Sequence, residues 1–223
     1  MSGVLSLLGI ANRAKKGFSP DNPKGGFEHH GLVEINEKIL KYFRSSWDDE
    51  QLFSPNWFDG EGILPFKGLI YEVIMEDFGD IDLFVVKDPR ISILFPLYLE
   101  VLKDLGVEPL LVIMRREDEE ICLSLKKRNN FSIKKSQKLC DKYKGTINQY
   151  KAGCRFVEIE FADLVTDPLC VVRRITDAFS LDIELTDELC DKIVNFIDPN
   201  LKHHNLKNLS LRDKVALLGY GKD

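Results

Sequence analysis

An unbroken apolar run, Leu110 to Met114, ends abruptly in two arginines, and helix-type patterning follows at once. Such a run marks a strand covered on both faces, the kind found inside parallel sheets. From Glu119 to Arg128 the pattern changes, with Ile121 and Leu125 four apart on one helical face. A buried strand that runs straight into a helix constrains the chain to an α/β fold. In open sheets of that class, ligands bind at the edge where strands end and helices begin. Arg116 leaves the strand at that edge, and Ser124, eight residues on, sits one to two turns into the helix. A guanidinium fork and a hydroxyl so placed can hold a phosphate. The same spacing also suits a structural reading, with Arg116 paired to Glu117, Asp118 or Glu119 and Ser124 packed in the helix.

Two further strand candidates extend the pattern. Leu83 to Val86 is apolar and leads into Lys87-Asp88-Pro89-Arg90. Phe156 to Phe161 alternates, with Val157, Ile159 and Phe161 on one side and Glu158 and Glu160 on the other. Helical periodicity links Leu32, Ile35, Ile39 and Phe43. It returns in Leu139, Tyr143, Ile147 and Tyr150, where Ser132 suits the N-cap. Asp167-Pro168 joins an N-cap to a proline at the first helical position, ahead of Leu169, Val172, Ile175 and Phe179. Thr186, Asp187 and Glu188 open a helix that carries Leu189, Ile193 and Phe196. Strands that alternate with helices argue for a parallel sheet with helices on both faces, in one domain over residues 1–223. Residues 21–26 (DNPKGG) have loop composition. Residues 48–67 are rich in Trp, Phe, Gly and Pro without clean periodicity. They read as an irregular excursion, either a surface loop or part of a lid over an acceptor.

A chain of 223 residues with 44% apolar content can bury a sizeable core. No apolar run approaches the ~20 residues that cross a bilayer. The first apolar patch has no basic flank before it, since Arg13 to Lys16 come after, so no secretory signal is expected. Cys122, Cys140, Cys154, Cys170 and Cys190 form an odd, unpatterned set, which favours reduced thiols in a cytoplasmic protein. A net charge of −5 argues against general nucleic-acid binding and leaves room for a small anion held by a few local cations. No HExxH or Cys/His spacing points to a metal.

Taken in order along the chain, these segments resemble bacterial-type sulfotransferases that use PAPS (3′-phosphoadenosine-5′-phosphosulfate). The strand followed by Arg116 and Ser124 is similar to their 3′-phosphate segment, with Asp118 where the family has a proline. The resemblance continues in NPKGGFE (Asn22 to Glu28) followed by a helix with Asn36. It takes in KDPR (Lys87 to Arg90) with ISILFPLYLEVL, then EFADLVTDP, where Phe161 stands for the family's tyrosine, and IDPNLKHH (Ile197 to His204). It implies that Arg116 and Ser124 hold the 3′-phosphate. Lys87 would stabilise the leaving oxygen, as electrostatic catalysis requires, and Glu28 would take the acceptor proton. Arg90 would meet phosphate or acceptor, and Lys202 would close over the 3′-phosphate. Each residue also has a plainer reading. Lys87 can pair with Asp88 or Asp82, Glu28 can be a helix N-terminal charge, Arg90 can cap its turn, and Lys202, His203 and His204 can form a solvated face. His29 and His30 compete with Glu28 as base.

The resemblance implies a three-layer α/β/α fold with a parallel sheet, of P-loop nucleoside triphosphate hydrolase-like (sulfotransferase) topology. Sulfotransferases cradle the 5′-phosphosulfate in a Ser/Gly/Thr loop between the first strand and first helix, where backbone N–H groups hold the anion. No such run is present, nor GxxxxGK[ST], and MSGVLSLLGI resembles the helix that follows the loop. The expectation is therefore an N-terminally truncated sulfotransferase that moves a sulfuryl group from PAPS to a hydroxyl or amine, releasing PAP, and that is active or not as it stands. The acceptor would be a small molecule, carbohydrate or lipid, with Trp47, Trp57 and Phe58 facing it. One rival is a non-catalytic nucleotide- or partner-binding protein of the same fold. Another is a P-loop kinase, which needs the phosphate loop and a magnesium-binding Ser/Thr beside it.

Overall fold

The structure, a computed structural model, describes residues 1–14 and 25–198. Among them, nine α-helices surround a two-stranded parallel sheet. In chain order these are α1 (Ser2–Leu7), α2 (His30–Tyr42), α3 (Leu64–Phe78), α4 (Ile91–Asp104), β1 (Leu110–Arg115), α5 (Asp118–Asn129), α6 (Ile133–Tyr150), β2 (Arg155–Glu160), α7 (Phe161–Thr166), α8 (Pro168–Phe179) and α9 (Asp187–Phe196). The caps fall where local chemistry puts them. Ser132, Asp167 and Thr186 each accept a backbone N–H with the side-chain oxygen at the start of α6, α8 and α9. In α5, Asp118, Glu119 and Glu120 occupy the first turn and Lys126, Lys127 and Arg128 the last, both favourable to the helix dipole.

β1 and β2 pair in register from Leu110 opposite Arg155 to Arg115 opposite Glu160. Parallel neighbours require a long crossover, which α5 and α6 supply. A second parallel pairing lies apart from the first: Ala11 bridges Phe84, with Ala11 N–H donating to Leu83 O at 3.3 Å and Val85 N–H to Ala11 O at 2.8 Å. Both pairings rest on one core. Ile10, Leu83, Val85, Leu110, Val112, Val157 and Ile159 all pack with Val4 and Leu5 of α1, with Leu8 just after it, and with the apolar faces of α8 and α9. The alternate residues Phe84 and Val86 turn to a second cluster built by α2, α3 and α4. Side chains alternating between two helical clusters are the signature of a sheet covered on both sides. Among the described residues, no hydrogen bond joins Leu83–Val86 to β1.

Three expectations need correction. Leu83 to Val86 is a single bridge rather than a strand, because among the described residues it is paired on one edge alone and by a short partner. Leu110 to Met114 forms its strand but is not fully buried: Leu110 to Ile113 are half-buried and Met114 is 37% exposed, and among the described residues β1 has a paired neighbour on one edge only. Phe161 opens α7 instead of continuing the strand, and its ring lies under Arg116. The irregular excursion ends at Ile63, where α3 begins.

Local packing also fixes the chain ahead of α2. Phe27 has φ 53°, a left-handed conformation that bulky residues rarely take. Its ring meets Phe196 of α9 edge-on at 6.2 Å. Both rings crowd Gly3 so closely that an added Cβ would lie 2.4 Å from Phe196 and 2.8 Å from Phe27. Gly3 therefore lets α1 approach the turn that delivers Glu28.

Candidate functional site

The segment Lys87 to Arg90 follows the Phe84 bridge and leads into α4. Asp88 turns inward, its side chain 1% exposed. One carboxylate oxygen accepts from the Arg90 backbone N–H at 2.9 Å and from its guanidinium at 2.8 Å. The other accepts from Asn36 Nδ2 at 2.9 Å, and Tyr98 donates its hydroxyl to Asn36 Oδ1 at 2.8 Å. Every member of this buried network is satisfied, the condition under which such networks rigidify a fold. Burial carries the Tyr98 phenol far above its usual range, with the Asn36 bond opposing and nearby Asp88 adding to the rise, so it stays protonated as donor. Arg90 is also ion-paired to Glu37.

With Asp88 engaged, Lys87 pairs with neither Asp88 nor Asp82. Its ammonium meets Glu28 Oε1 at 2.5 Å and donates to Gly26 O at 3.1 Å. Glu28 precedes the helix rather than opening it: His29 is the N-cap of α2, with Nδ1 accepting from Leu32 N–H at 3.3 Å and Nε2 bonded to Asp77 at 2.9 Å. That engagement removes His29 as a free base. His30 is held by Glu34 one turn on, at 3.0 Å.

At the end of β1, Arg115 binds Glu158 of the paired strand through two nitrogens, at 2.8 and 3.2 Å, and Lys151 joins the same carboxylate. Hydrogen bonds from Arg115 and Lys151 hold the Glu158 carboxyl down at about 2 against an ordinary 4.5. A depressed carboxylate adds stability above its unfolded value and loses it as pH falls toward the folded one. Wild type should therefore lose melting temperature between pH 4.5 and 2, and Glu158→Gln should lose clearly less over that window. Parallel acid titrations of thermal melts check this; identical slopes would contradict it.

Arg116 donates through Nε to Glu120 at 2.9 Å and stacks 5.2 Å above the Phe161 ring. Its partner is the residue one helical turn on, not Glu117, Asp118 or Glu119. Ser124 lies a further turn along α5, away from Arg116's contacts.

These segments border one open cavity of about 440 Å³. Glu28, Arg90 and Arg116 line it together, with Lys87 attached through Glu28. Ser124 does not line it, and Lys202, His203, His204 and Asn22 to Lys24 lie outside the described residues. The apolar walls come from Ile113 of β1, Ile121 and Leu125 of α5, and Tyr143 and Ile147 of α6. Trp47 closes one side. It lies just ahead of the excursion, whose start α6 pins down: Tyr143 donates to Trp47 O at 2.8 Å, Lys142 to Asp49 O at 2.9 Å, and Lys135 and Lys138 pair with Asp48 and Glu50. Aromatic contacts of Phe53, Trp57 and Phe58 with Phe43 and Tyr150 hold its far part. Of the three aromatic residues expected to face an acceptor, Trp47 lines the cavity and Trp57 and Phe58 do not. Arg115, Arg128 and Lys144 also reach the cavity, and sequence reasoning did not single them out. Their signal was weak: Ile121, Leu125 and Arg128 fall on one α5 stripe, but a run of three basic residues hides the third.

Chemically, the site offers a carboxylate beside an ammonium, with several guanidinium groups bordering the same cavity as apolar walls. It suits an anionic group and a proton transfer. Among the described residues, no cluster of His, Cys, Asp or Glu could hold a metal ion, and no helix is long and apolar enough to cross a membrane. Searches against protein-family models, curated proteins and solved structures find no significant match to this chain.

Proposed function

We propose that this chain is a PAPS-dependent sulfotransferase-type unit. The observation that carries the reading is the Glu28–Lys87 pair, set beside Arg90 and Arg116 at one cavity where the parallel segments end. Sulfuryl transfer needs the groups found there. Glu28 takes the proton from an acceptor hydroxyl or amine as the acceptor atom bonds to sulfur. Lys87 stabilises the negative charge that collects on the bridging oxygen as the sulfur–oxygen bond breaks and PAP leaves. Arg116 holds the 3′-phosphate with its guanidinium fork, joined by Ser124 as the family resemblance implies. Asp88 keeps Arg90 facing the same space.

The finer topology belongs to the same proposal. Two parallel pairings on one core, unjoined along facing edges, fit a three-layer, P-loop-like sheet with one strand position open between Leu83–Val86 and β1. In a sulfotransferase that position holds the strand feeding the phosphosulfate loop, which has no counterpart in this sequence. A second reading, a non-catalytic nucleotide- or partner-binding protein of this fold, is favoured by the carboxylates already on the cations: Glu28 on Lys87 and Glu120 on Arg116.

Thermal melts with and without PAP test the proposal. A cooperative transition raised by PAP in wild type, and not in Arg116→Ala, is the expected result. A folded chain indifferent to PAP overturns it. PAP binding without transfer in any acceptor screen selects the second reading.

A further inference from the structure

Arg128 is the cation at the cavity that has no carboxylate partner among the described residues. Arg90, Arg115, Arg116 and Lys144 are each ion-paired, to Asp88 and Glu37, Glu158, Glu120 and Asp118 in turn. Among the described residues, the hydrogen bond of Arg128 goes to the neutral amide of Asn129, at 2.9 Å. It stands on the α5 stripe that lines the cavity, below Ile121 and Leu125. Glu120, the partner of Arg116, stands in the first turn of that helix, eight residues away, or about 12 Å by helix rise. Along α5 between these positions the lining residues are Ile121 and Leu125, and Trp47 and Tyr143 add broad aromatic faces.

A guanidinium with no carboxylate among the described residues, at the end of an apolar helix stripe, matches one kind of ligand. We infer that the cavity takes an elongated apolar acid, whose carboxylate meets Arg128 and whose body lies along Leu125, Tyr143 and Ile147. A neutral carbohydrate would leave those walls against polar surface, and a free phosphate would leave them uncovered. Resting on the sulfotransferase reading for its second half, the inference names the acceptor as an apolar hydroxy acid, its hydroxyl directed toward Glu28.

Anilinonaphthalene sulfonate, an apolar anion whose fluorescence reports burial, is the probe. The full chain should bind it at one saturable site. An ω-hydroxy fatty acid (hydroxydodecanoate) should displace it at least about tenfold better than its uncharged methyl ester, the worth of one charge-assisted contact. Arg128→Gln should remove that preference and Arg128→Lys retain most of it; Arg128 is exposed, so both variants should melt as wild type does. Equal displacement by acid and ester, a preference that survives Arg128→Gln, or no saturable probe site would each overturn the inference. The two halves separate cleanly. Acid preference without any PAP effect keeps the acid site and sinks the sulfotransferase reading, and PAP binding without acid preference does the reverse.

Discussion

Replacing Lys87 by methionine is expected to lower sulfuryl transfer by roughly 10²–10³-fold, the usual effect of removing one group aimed at developing charge. The loss should fall on kcat, because Lys87 is proposed to act on the leaving oxygen and not on the 3′-phosphate. PAP binding should persist. The fold should tolerate the change: Lys87 and Glu28 are 38% and 30% exposed, so the carboxylate left behind can be hydrated. Exposed pairs of this kind contribute little to stability. Glu28→Gln should give a comparable loss of transfer while leaving the Lys87 charge in place. Rates with sulfate-labelled PAPS and any acceptor found by screening measure both. Full activity in Lys87→Met would remove the lysine from the mechanism.

Asp88→Ala should be the most destabilising single change near the site, by about 3–5 kcal/mol, the range for breaking a buried, hydrogen-bonded charge pair. It removes the buried partner of the Arg90 guanidinium, leaving only Glu37 of the two carboxylates, and strands the fully buried Asn36 amide at once. Tyr98→Phe removes a neutral donor from the same network and should cost about 1 kcal/mol. Urea unfolding of the two variants gives the order directly. A loss for Asp88→Ala below that for Tyr98→Phe would mean that the network is not what holds the Lys87–Arg90 segment. The two substitutions share partners, so their effects should not add.

Features set by a few neighbouring residues were legible from the amino-acid order. β1, the caps at Ser132, Asp167 and Thr186, and the face of α2 built on Leu32, Ile35 and Ile39 lie where the patterns place them. Features that depend on distant neighbours were not. Leu83 to Val86 has strand composition, but a ladder needs partners on its edges, and among the described residues Ala11 alone supplies one. The helix α3 escaped notice because apolar residues surround it: Leu64, Leu69, Tyr71 and Met75 are exposed while Ile70 and Ile74 are buried, so no stripe stands out. At the site, Glu28, Arg90 and Arg116 were named from their places at segment ends and border one cavity, whereas the inward turn of Asp88 follows from Asn36 and Tyr98, residues 52 and 62 positions apart from their partners. The partner of Arg116 is Glu120 because a side chain one turn into a helix reaches back toward its start. Ser124 sits a turn too far along α5 to share those contacts, and its role rests on the family resemblance.

The most direct test of the central claim is recognition of the 3′-phosphate. Calorimetric titration of the chain with PAP and with adenosine 5′-phosphate, which differ by that group alone, isolates it. The account predicts that PAP binds at least about tenfold more tightly in wild type and that Arg116→Ala abolishes the difference. Equal affinity for the two nucleotides in the folded wild-type chain, or binding of neither, would contradict it.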